Sequence, residues 1–518
     1  MESCRSSDLA SGRTHFPMKP LGYAWLVQHF KLATPPLRHR SFLGTRRFTR
    51  EHLDGAVEEH YVGRYDPGED PLDQLVFALK YDGLDLNILR AVLFKFSPER
   101  VAEFVSRAPN GKYARRIGCW YDLLVGSVPL GAEVTGSYIP LLDPADYVVS
   151  SKPVRIPKWR IANNAIGDRF FLPLIRRTPA IQAIVDTDWA EMIAATIRQV
   201  PETTLRRALS YFYTKETKSS FAIEREEPGA SKAERFIALL HRAGIEERPL
   251  SEENLTRLQN AIVDQRFQEN GFRDSQNYIG ETTVNYEEII HSIGTPPGFL
   301  RKVMGGLERY FAASADVHPI LRAAAISFPF VFVHPFEDGN GRIHRYLLHD
   351  LMARGGIGGS GFLLPVSAEI LADLKAYDAC LEGFSKPLLS VAEYELDGQR
   401  RLTVTNPQEI LGLYAFPDVT AQAEYLGSII RQTIQRSLPD EIRFLERLDS
   451  ARQAIQEIVD LPGRILDSLL IRLHRNQGSL ARKRREGEFK MLTDQEIEEI
   501  EQAFRLAFEL NGAPHQPG

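Results

Sequence analysis

Two apolar helical runs on either side of a glycine-rich turn constrain the fold of this chain more than any other feature. The first run, 320–333, is predicted to end at His334-Pro335, because proline disfavours the α conformation of the residue before it. The turn Asp338-Gly-Asn-Gly341 follows, and a second helix is predicted from near Gly341 to Gly355-Gly356. Helical spacing also dominates most of the remaining chain. The sequence therefore predicts a mainly α fold with small β excursions.

The turn between these helices combines several groups that suit phosphate chemistry. A Gly-Asn-Gly turn that enters a helix presents unpaired N–H groups at the positive end of the helix dipole, which attracts anions. Arg342 and Arg345 share one helix face beside it. Asp338 offers a hard oxygen ligand for Mg²⁺ bound to a polyphosphate, and His334 can accept a proton at neutral pH. Each residue alone has an ordinary structural explanation, but their joint occurrence predicts a site.

Residues 334–345 match every specified position of His-x-Phe-x-Asp/Glu-Gly-Asn-Gly-Arg-x-x-Arg, the signature of the Fic family, which the chain resembles. The resemblance implies a Fic-type helical core with a β-hairpin flap. It implies a protein adenylyltransferase, with ATP as substrate and Mg²⁺, that transfers AMP to a Ser, Thr or Tyr hydroxyl of a target protein. By position, it implies a catalytic base at His334, a structural anchor at Phe336, Mg²⁺ binding at Asp338, and nucleotide binding by Gly339, Asn340, Gly341, Arg342 and Arg345.

The stretch 272–280 resembles the flap that precedes this signature in many Fic proteins, where a hairpin pairs with the extended target segment. The resemblance implies target positioning by Tyr278, Ile279 and Gly280. A structural hairpin with Tyr278 and Ile279 buried is an equally weighted interpretation.

The stretch 219–224 resembles the inhibitory helix of many Fic proteins, with the pattern Ser/Thr-x-x-x-Glu-Gly/Asn. Ser220 and Glu224 fit it, whereas Arg225 departs from it. A glutamate that reaches Arg345 would form a charge-assisted pair and occupy the arginine that the γ-phosphate needs. The alternative is that Glu224 is one more exposed carboxylate of a Glu-rich loop.

The predicted organisation has four parts. Residues 1–20 form a loose tail, 21–200 a mainly helical region, and 201–390 the catalytic domain, with the inhibitory helix at about 215–225 and the flap at about 272–295. Residues 391–518 form a hairpin and a helical domain that is winged-helix-like in one interpretation. Both flanks resemble those of larger bacterial Fic proteins only in general character.

Composition narrows the setting and the partners. The net charge of −5 gives no general attraction to nucleic acid, and Cys4, Cys119 and Cys380 form no disulfide or zinc spacing. No apolar run is long enough to span a membrane, so we expect a cytoplasmic protein without membrane contact. The basic clusters 112–116 and 481–485 are interpreted as solvated faces, with DNA contact as the weaker alternative.

We expect the partner to be a target protein with an accessible hydroxyl, which can be the chain itself, and a homodimer stays open. Two alternative functions stay open as well. The same site could remove AMP from a target, with Glu224 holding the water. The chain could instead be a DNA-binding or toxin–antitoxin regulator that carries a Fic domain.

Overall fold

The computed structural model describes residues 18–52, 55–131, 134–198, 200–358 and 362–510. Most of the predicted loose tail, with Cys4, lies outside these residues. The chain divides into two compact units, each built from separate segments. The first unit comprises Met1–Val185, Glu246–Leu348 and Lys375–Tyr425, and the second comprises Asp186–Ile245, His349–Leu374 and Leu426–Gly518. The segments of the two units alternate along the chain, whereas the sequence analysis predicted four consecutive parts.

The N-terminal region mixes short strands with helices. Its elements are β1 (Pro20–Leu21), α1 (Gly22–Phe30), β2 (His39–Leu43), β3 (Phe48–Glu51), β4 (Val57–Tyr61), α2 (Pro71–Tyr81), α3 (Leu86–Leu93), α4 (Pro98–Arg107), α5 (Lys112–Leu124), β5 (Ile139–Pro140), β6 (Val154–Ile156) and β7 (Ile161–Asn163). The first four strands form one sheet in the order β1-β2-β4-β3, with β2 and β4 parallel and the outer pairs antiparallel. The sequence analysis did not predict this sheet.

The rest of the chain is mainly helical, as predicted. Its elements are α6 (Pro179–Asp186), α7 (Trp189–Ile197), α8 (Glu202–Ile223), α9 (Ala230–Leu240), α10 (Glu252–Ile262), β8 (Tyr278–Thr282), β9 (Glu288–Ile293), α11 (Pro297–Ala313), α12 (Pro319–Val333), α13 (Asn340–Arg354), α14 (Val366–Ala372), α15 (Leu374–Leu389), β10 (Tyr394–Leu396), β11 (Leu402–Val404), α16 (Pro407–Ala415), α17 (Thr420–Gln432), α18 (Leu438–Ile458), α19 (Gly463–Arg475), α20 (Arg482–Arg485) and α21 (Asp494–Ala507). None of the described helices combines the length and hydropathy needed to cross a bilayer.

Helix α12 lies at the centre of the first unit. Almost every residue of α12 is buried, including the polar Ser327, whose hydroxyl donates to the Ala323 carbonyl. A helix that is apolar on all sides is a core helix rather than a surface helix. The two helices of the 320–355 segment therefore form where the sequence predicts them, and the loop between them leaves from the middle of the core.

The N-terminal region is joined to the helices that follow α13 within the first unit. Leu172 donates to the Ala415 carbonyl at 2.8 Å and Leu174 to the Pro417 carbonyl at 2.9 Å. Beside them, Arg176 Nε pairs with Asp418 at 2.8 Å. Since these backbone bonds run between distant segments, the N-terminal region is part of the unit that carries the loop and not a separate domain.

The hairpin predicted in this region is β10 paired antiparallel with β11, and the elements that follow it in the described residues from 407 to 510 are helices. The arginines of both basic clusters have protein partners. Arg115 and Arg116 are buried and donate to the carbonyls of Ser137 and Pro140. In α20, arginines pair with glutamates at Arg482–Glu486, Arg484–Glu488 and Arg485–Glu501. These arginines therefore have partners within the protein, and the DNA contact weighed in the sequence analysis stays a prediction.

Helix α8 ends in a tight backbone turn. The N–H of Arg225 donates to the Ala222 carbonyl at 2.9 Å, and the N–H of Glu226 donates to the Phe221 carbonyl at 3.1 Å. This pair of bonds is the Schellman motif, which places the residue after the helix cap in the left-handed region. Arg225 accordingly has a φ of 56°, a conformation that glycine adopts without steric cost.

We predict that Arg225→Gly stabilises the second unit by about 0.5–1 kcal/mol. Relief of the left-handed strain is worth about 1–2 kcal/mol, and the greater freedom of glycine in the unfolded chain offsets part of it. Urea unfolding followed by circular dichroism measures the gain. Arg225→Ala keeps a Cβ atom at the same φ and serves as the control, and an equal gain from alanine would contradict the backbone explanation.

Candidate active site

The signature loop begins with a backbone conformation that a non-glycine residue rarely adopts. His334 caps α12 with a φ of 54° and a ψ of 63°, and its N–H donates to the Phe330 carbonyl at 3.1 Å. Left-handed backbone at a histidine costs energy and persists only where the surroundings enforce it. The contacts of the next residues identify those surroundings.

Four consecutive carbonyl groups of the loop point toward the stretch 273–277. Arg273 Nε donates to the His334 carbonyl at 2.8 Å, and the Arg273 N–H donates to the Pro335 carbonyl at 3.0 Å. Asn277 Nδ2 donates to the Phe336 carbonyl at 3.0 Å. The Val333 carbonyl accepts from the Thr295 N–H at 3.0 Å and from Arg273 Nη2 at 3.3 Å. The loop backbone is thereby fixed along one side.

Helix α10 and the chain after it hold the other end of the loop. Glu269 accepts from the Glu337 N–H at 2.9 Å, and Gln259 Nε2 donates to the Asp338 carbonyl at 3.4 Å. Asn340 Oδ1 accepts from the Phe336 N–H at 3.1 Å, while Asn340 Nδ2 donates to the Phe336 carbonyl at 2.7 Å. The side chain of Asn340, predicted to bind nucleotide, therefore shapes the loop itself.

The predicted anchor and the predicted base differ in burial. Phe336 is fully buried, and its ring meets that of Phe272 edge to face at 5.5 Å. His334 is half-buried, and its Nδ1 lies 3.2 Å from the Val331 carbonyl. Because a carbonyl can only accept, Nδ1 carries the proton in this contact and the lone pair of the neutral ring is on Nε2. The ring therefore has the tautomer of a base.

The start of α13 has the features predicted for an anion site. Gly339 has a φ of 92°, and a Cβ atom there would lie 3.1 Å from Val263 Cγ1. The next residues begin the helix, and the first N–H groups of a helix have no intrahelical acceptor. Arg342 and Arg345 are both buried, Arg345 completely. The site thus has N–H groups at one helix end and the guanidinium of Arg342 beside them on Asp338, with Arg345 buried one turn further along the helix.

Asp338, the predicted Mg²⁺ ligand, lies beside this helix end. Its Oδ1 accepts from the Gly339 N–H and from Arg342 Nη2, both at 2.6 Å, and its side chain is 45% exposed. The described residues contain no cluster of three or more metal-ligating side chains. A single exposed carboxylate still suits Mg²⁺, which in nucleotide sites takes one or two carboxylates, substrate phosphates and waters.

The predicted flap is a β-hairpin. Strands β8 and β9 pair antiparallel, with a register shift between Ile279 and Gly280. Tyr278 is half-buried, Ile279 is 45% exposed and Gly280 is exposed, so Ile279 is not a buried core residue. The Tyr414 hydroxyl, which the sequence analysis did not single out, donates to the Ile293 carbonyl at 2.6 Å and fixes the end of β9.

The predicted inhibitory residues lie in the second unit. Ser220 is fully buried in the last turn of α8, and Glu224 is the exposed C-cap residue. The structure therefore confirms a helix here, and an inhibitory role for its end remains a prediction.

The residues that sequence analysis missed are those that hold the loop: Gln259, Glu269, Arg273 and Asn277. Arg273 and Asn277 both lie inside the stretch 272–280, whose likeness to the flap could have directed attention to them. Gln259 and Glu269 carry no such signal.

His344, inside the signature, is a buried core residue. Its Nδ1 lies 2.8 Å from the Ser327 carbonyl and its ring packs on Phe328. Burial, aided by the charge of Arg345, lowers the pKa of His344 to about 3. The ring is therefore neutral in the folded protein, while it protonates near pH 6.5 in the unfolded chain.

We predict that this difference makes the protein less stable as the pH falls below about 6.5, because the unfolded chain then binds a proton that the folded His344 rejects. The contribution of His344 lowers the free energy of unfolding by up to about 1.4 kcal/mol for each pH unit below that value. Thermal unfolding of His344→Asn, which keeps a donor for Ser327, should show a smaller pH dependence between pH 6.5 and 4.5 than wild type, because His39 and His318, whose pKa values burial also lowers, keep their share. His291→Asn, at an exposed histidine, should keep it; equal pH dependence in both variants would refute the role of His344.

Comparisons with known proteins agree with this site. The model of the Fic/DOC family matches residues 249–352. The proteins named "Protein adenylyltransferase Fic" of Drosophila sechellia and Drosophila melanogaster are each 36% identical to this chain over 87 residues. That match covers 16% of this chain and only 16% of those relatives.

Among solved structures, a Fic family protein from Desulfovibrio desulfuricans G20 has a TM-score of 0.37 at 17% identity, over 60% of this chain and 87% of that chain. A Fic domain containing signaling protein from Bacteroides thetaiotaomicron has a TM-score of 0.36 at 18% identity, over 51% of this chain and 97% of that chain. The family match includes the loop, all of α12 and most of α13, so residues 249–352 are the part of the chain that is similar to the Fic/DOC family.

Proposed function

We propose that this site transfers AMP from ATP to a hydroxyl group of a protein. One observation carries the proposal: the imidazole of His334 and the N-terminus of α13 belong to one loop whose backbone is fixed at both ends. A base and an anion site held in constant relation suit a reaction in which a hydroxyl attacks a bound phosphate.

The phosphates of ATP would bind at the first N–H groups of α13. Gly339 and Gly341 leave room for close approach, and the buried guanidinium groups of Arg342 and Arg345 neutralise charge on the phosphate oxygens. Mg²⁺ would be held by Asp338 together with phosphate oxygens and would supply further charge neutralisation. Since Arg342 already pairs with Asp338, both the arginine and the carboxylate are oriented before ATP binds.

His334 would act on the attacking group. Its Nε2 accepts the hydroxyl proton as the oxygen bonds to the α-phosphorus, the bond from that phosphorus to the bridging oxygen breaks, and pyrophosphate leaves. AMP then remains on the target as a phosphodiester. The flap would hold the target, since the hairpin strands β8 and β9 form a two-stranded sheet of their own and an extended segment can pair with an open edge.

Inhibition by Glu224 belongs to the same proposal. The carboxylate would compete with the γ-phosphate of ATP for Arg345, as the resemblance implies. Two features of α8 support it. Ser220 is buried, which fixes the rotation of the last helical turn, and the Schellman turn fixes the backbone on both sides of Glu224. With the backbone held in this way, only the side-chain rotamers of Glu224 remain to be ordered when the carboxylate binds an arginine.

We predict that His334→Ala and His334→Asn both lower the rate of AMP transfer by about 10²–10⁴-fold, because both lack a base. Asparagine keeps an amide donor where Nδ1 donates to the Val331 carbonyl, so the loop should keep its shape. Transfer is followed with α-labelled ATP, and ATP affinity by calorimetry should stay within about threefold. Activity in His334→Asn would show that the ring is structural and would sink the mechanism.

We predict that Glu224→Gly protein incubated with α-labelled ATP and Mg²⁺ labels itself strongly, whereas wild type labels weakly. Glu227→Gly, at a neighbouring exposed carboxylate, should behave as wild type. Equal strong labelling of wild type and Glu224→Gly would keep the transferase and discard the inhibition. An absence of label in all three, with ATP bound, would contradict AMP transfer from ATP to this protein.

A further inference from the structure

Arg273 is a buried cation whose bonds go to backbone oxygens. Its guanidinium donates to the His334 carbonyl at 2.8 Å, the Thr295 carbonyl at 2.7 Å, the Ser275 carbonyl at 2.5 Å and the Val333 carbonyl at 3.3 Å. Within the described part of the chain no carboxylate forms an ion pair with it. The residue is 4% exposed, and burial lowers the pKa of Arg273 to about 10, so it stays charged at neutral pH.

These four carbonyl groups belong to three segments of the chain, and the proposed reaction requires that the relative positions of these segments stay fixed. Ser275 precedes the first strand of the flap, Thr295 follows the second strand, and His334 carries the proposed base. One rigid, planar group therefore ties both stems of the hairpin to the residue that would take the proton. The N–H groups of a guanidinium point in fixed directions, so they constrain the positions of their acceptors more tightly than a flexible ammonium group can.

A buried charge without a direct ion pair is expensive for the folded state, even though the carboxylates of Glu337 and Glu269 act on Arg273 from a distance. Apolar side chains could fill the same space at lower cost, but they could not hold four carbonyl oxygens at fixed distances. The close packing around Arg273 also indicates that its position is specified. A Cβ atom at Gly294 would lie 2.7 Å from Arg273 Nη2 and 2.2 Å from Asn277 Oδ1, so glycine at this position leaves room for both side chains.

We propose that Arg273 is a positioning residue that sets the distance between His334 and the hydroxyl presented by the flap. The inference rests on the proposed function, because it concerns the register of base and target in that reaction. Arg273 acts through the His334 backbone and through the flap stems, because the guanidinium bonds described above go to backbone carbonyls of those segments.

The expected effect is on the chemical step rather than on ATP binding. A displacement of about 1 Å between reacting groups can lower a rate by about 10²-fold. Lysine at position 273 keeps the charge but cannot hold carbonyl oxygens in four directions at once. We therefore expect Arg273→Lys, made in the Glu224→Gly protein, to lower the single-turnover rate of AMP transfer by about 10²-fold, with the dissociation constant of ATP changed less than threefold.

Two further variants separate positioning from folding. Gly294→Ala removes no donor, but its Cβ atom would displace the side chains of Arg273 and Asn277. We expect it to lower the single-turnover rate of AMP transfer by about 10-fold or more, with ATP binding little changed. Arg301→Lys is the matched control. Arg301 donates to the Phe272 carbonyl and pairs with Asp274, so it supports the same segment without touching the loop. It should transfer AMP within threefold of the parent.

An NMR measurement without substrate makes the test independent of the proposed function. The Cε1–Hε1 signal of His334, assigned with His334→Asn, should move in Arg273→Lys and Gly294→Ala and stay in place in Arg301→Lys. If the Glu224→Gly protein, which is the parent of these variants, takes up no AMP label, that result counts against the proposed function. The His334 signal does not depend on transfer and still tests the positioning role of Arg273. An unmoved signal, a transfer rate within threefold of the parent, or a loss that follows ATP affinity and melting temperature would overturn the positioning role.

Discussion

The structure of the site depends on where the loop carbonyls go. Four of them, from Val333 to Phe336, accept hydrogen bonds from the segment that begins at Arg273 and from Thr295. With the carbonyl groups directed to one side, the backbone can sustain the left-handed conformation at His334, which costs about 1–2 kcal/mol without such support. The imidazole and the first N–H groups of α13 are thereby held in a constant relation, which the proposed reaction requires.

The helices on either side make this arrangement rigid. Helix α12 is buried along nearly its whole length, and Phe336 anchors the loop against Phe272. A site holds its geometry only as well as the packing that supports it. In the first unit that packing extends to the N-terminal region, since Asp168 pairs with Arg309 of α11 and a Cβ atom at Gly306 would lie 2.7 Å from Phe171 Cβ. The flanking region is thus part of the support of the site.

Sequence could predict the groups that the loop carries, because they are contiguous: a base, a turn and a helix start within twelve residues. It could also predict the two helices, whose apolar runs have clear ends at Pro335 and Gly355. It could not predict the buried Arg273, Arg115 and Arg116. Arginine is an exposed residue by default, and only the fold shows carbonyl groups converging on it. The sheet at 20–61 was missed for a related reason. Its strands, such as Val57–Tyr61, are short and rich in charged residues, so they lack the apolar alternation that predicts a strand.

Arg225 departs from the inhibitory pattern in its side chain but not in its backbone conformation. Glycine or asparagine after the glutamate suits a left-handed residue, and position 225 is left-handed here despite its arginine. The two Schellman bonds from residues 225 and 226 are made without help from either side chain. Arginine therefore changes the energy of the helix end and not its geometry, since a Cβ atom raises the cost of this φ without offering the chain a better path. The backbone that presents Glu224 is what the pattern specifies, and the substitution alone is no argument against inhibition by this helix.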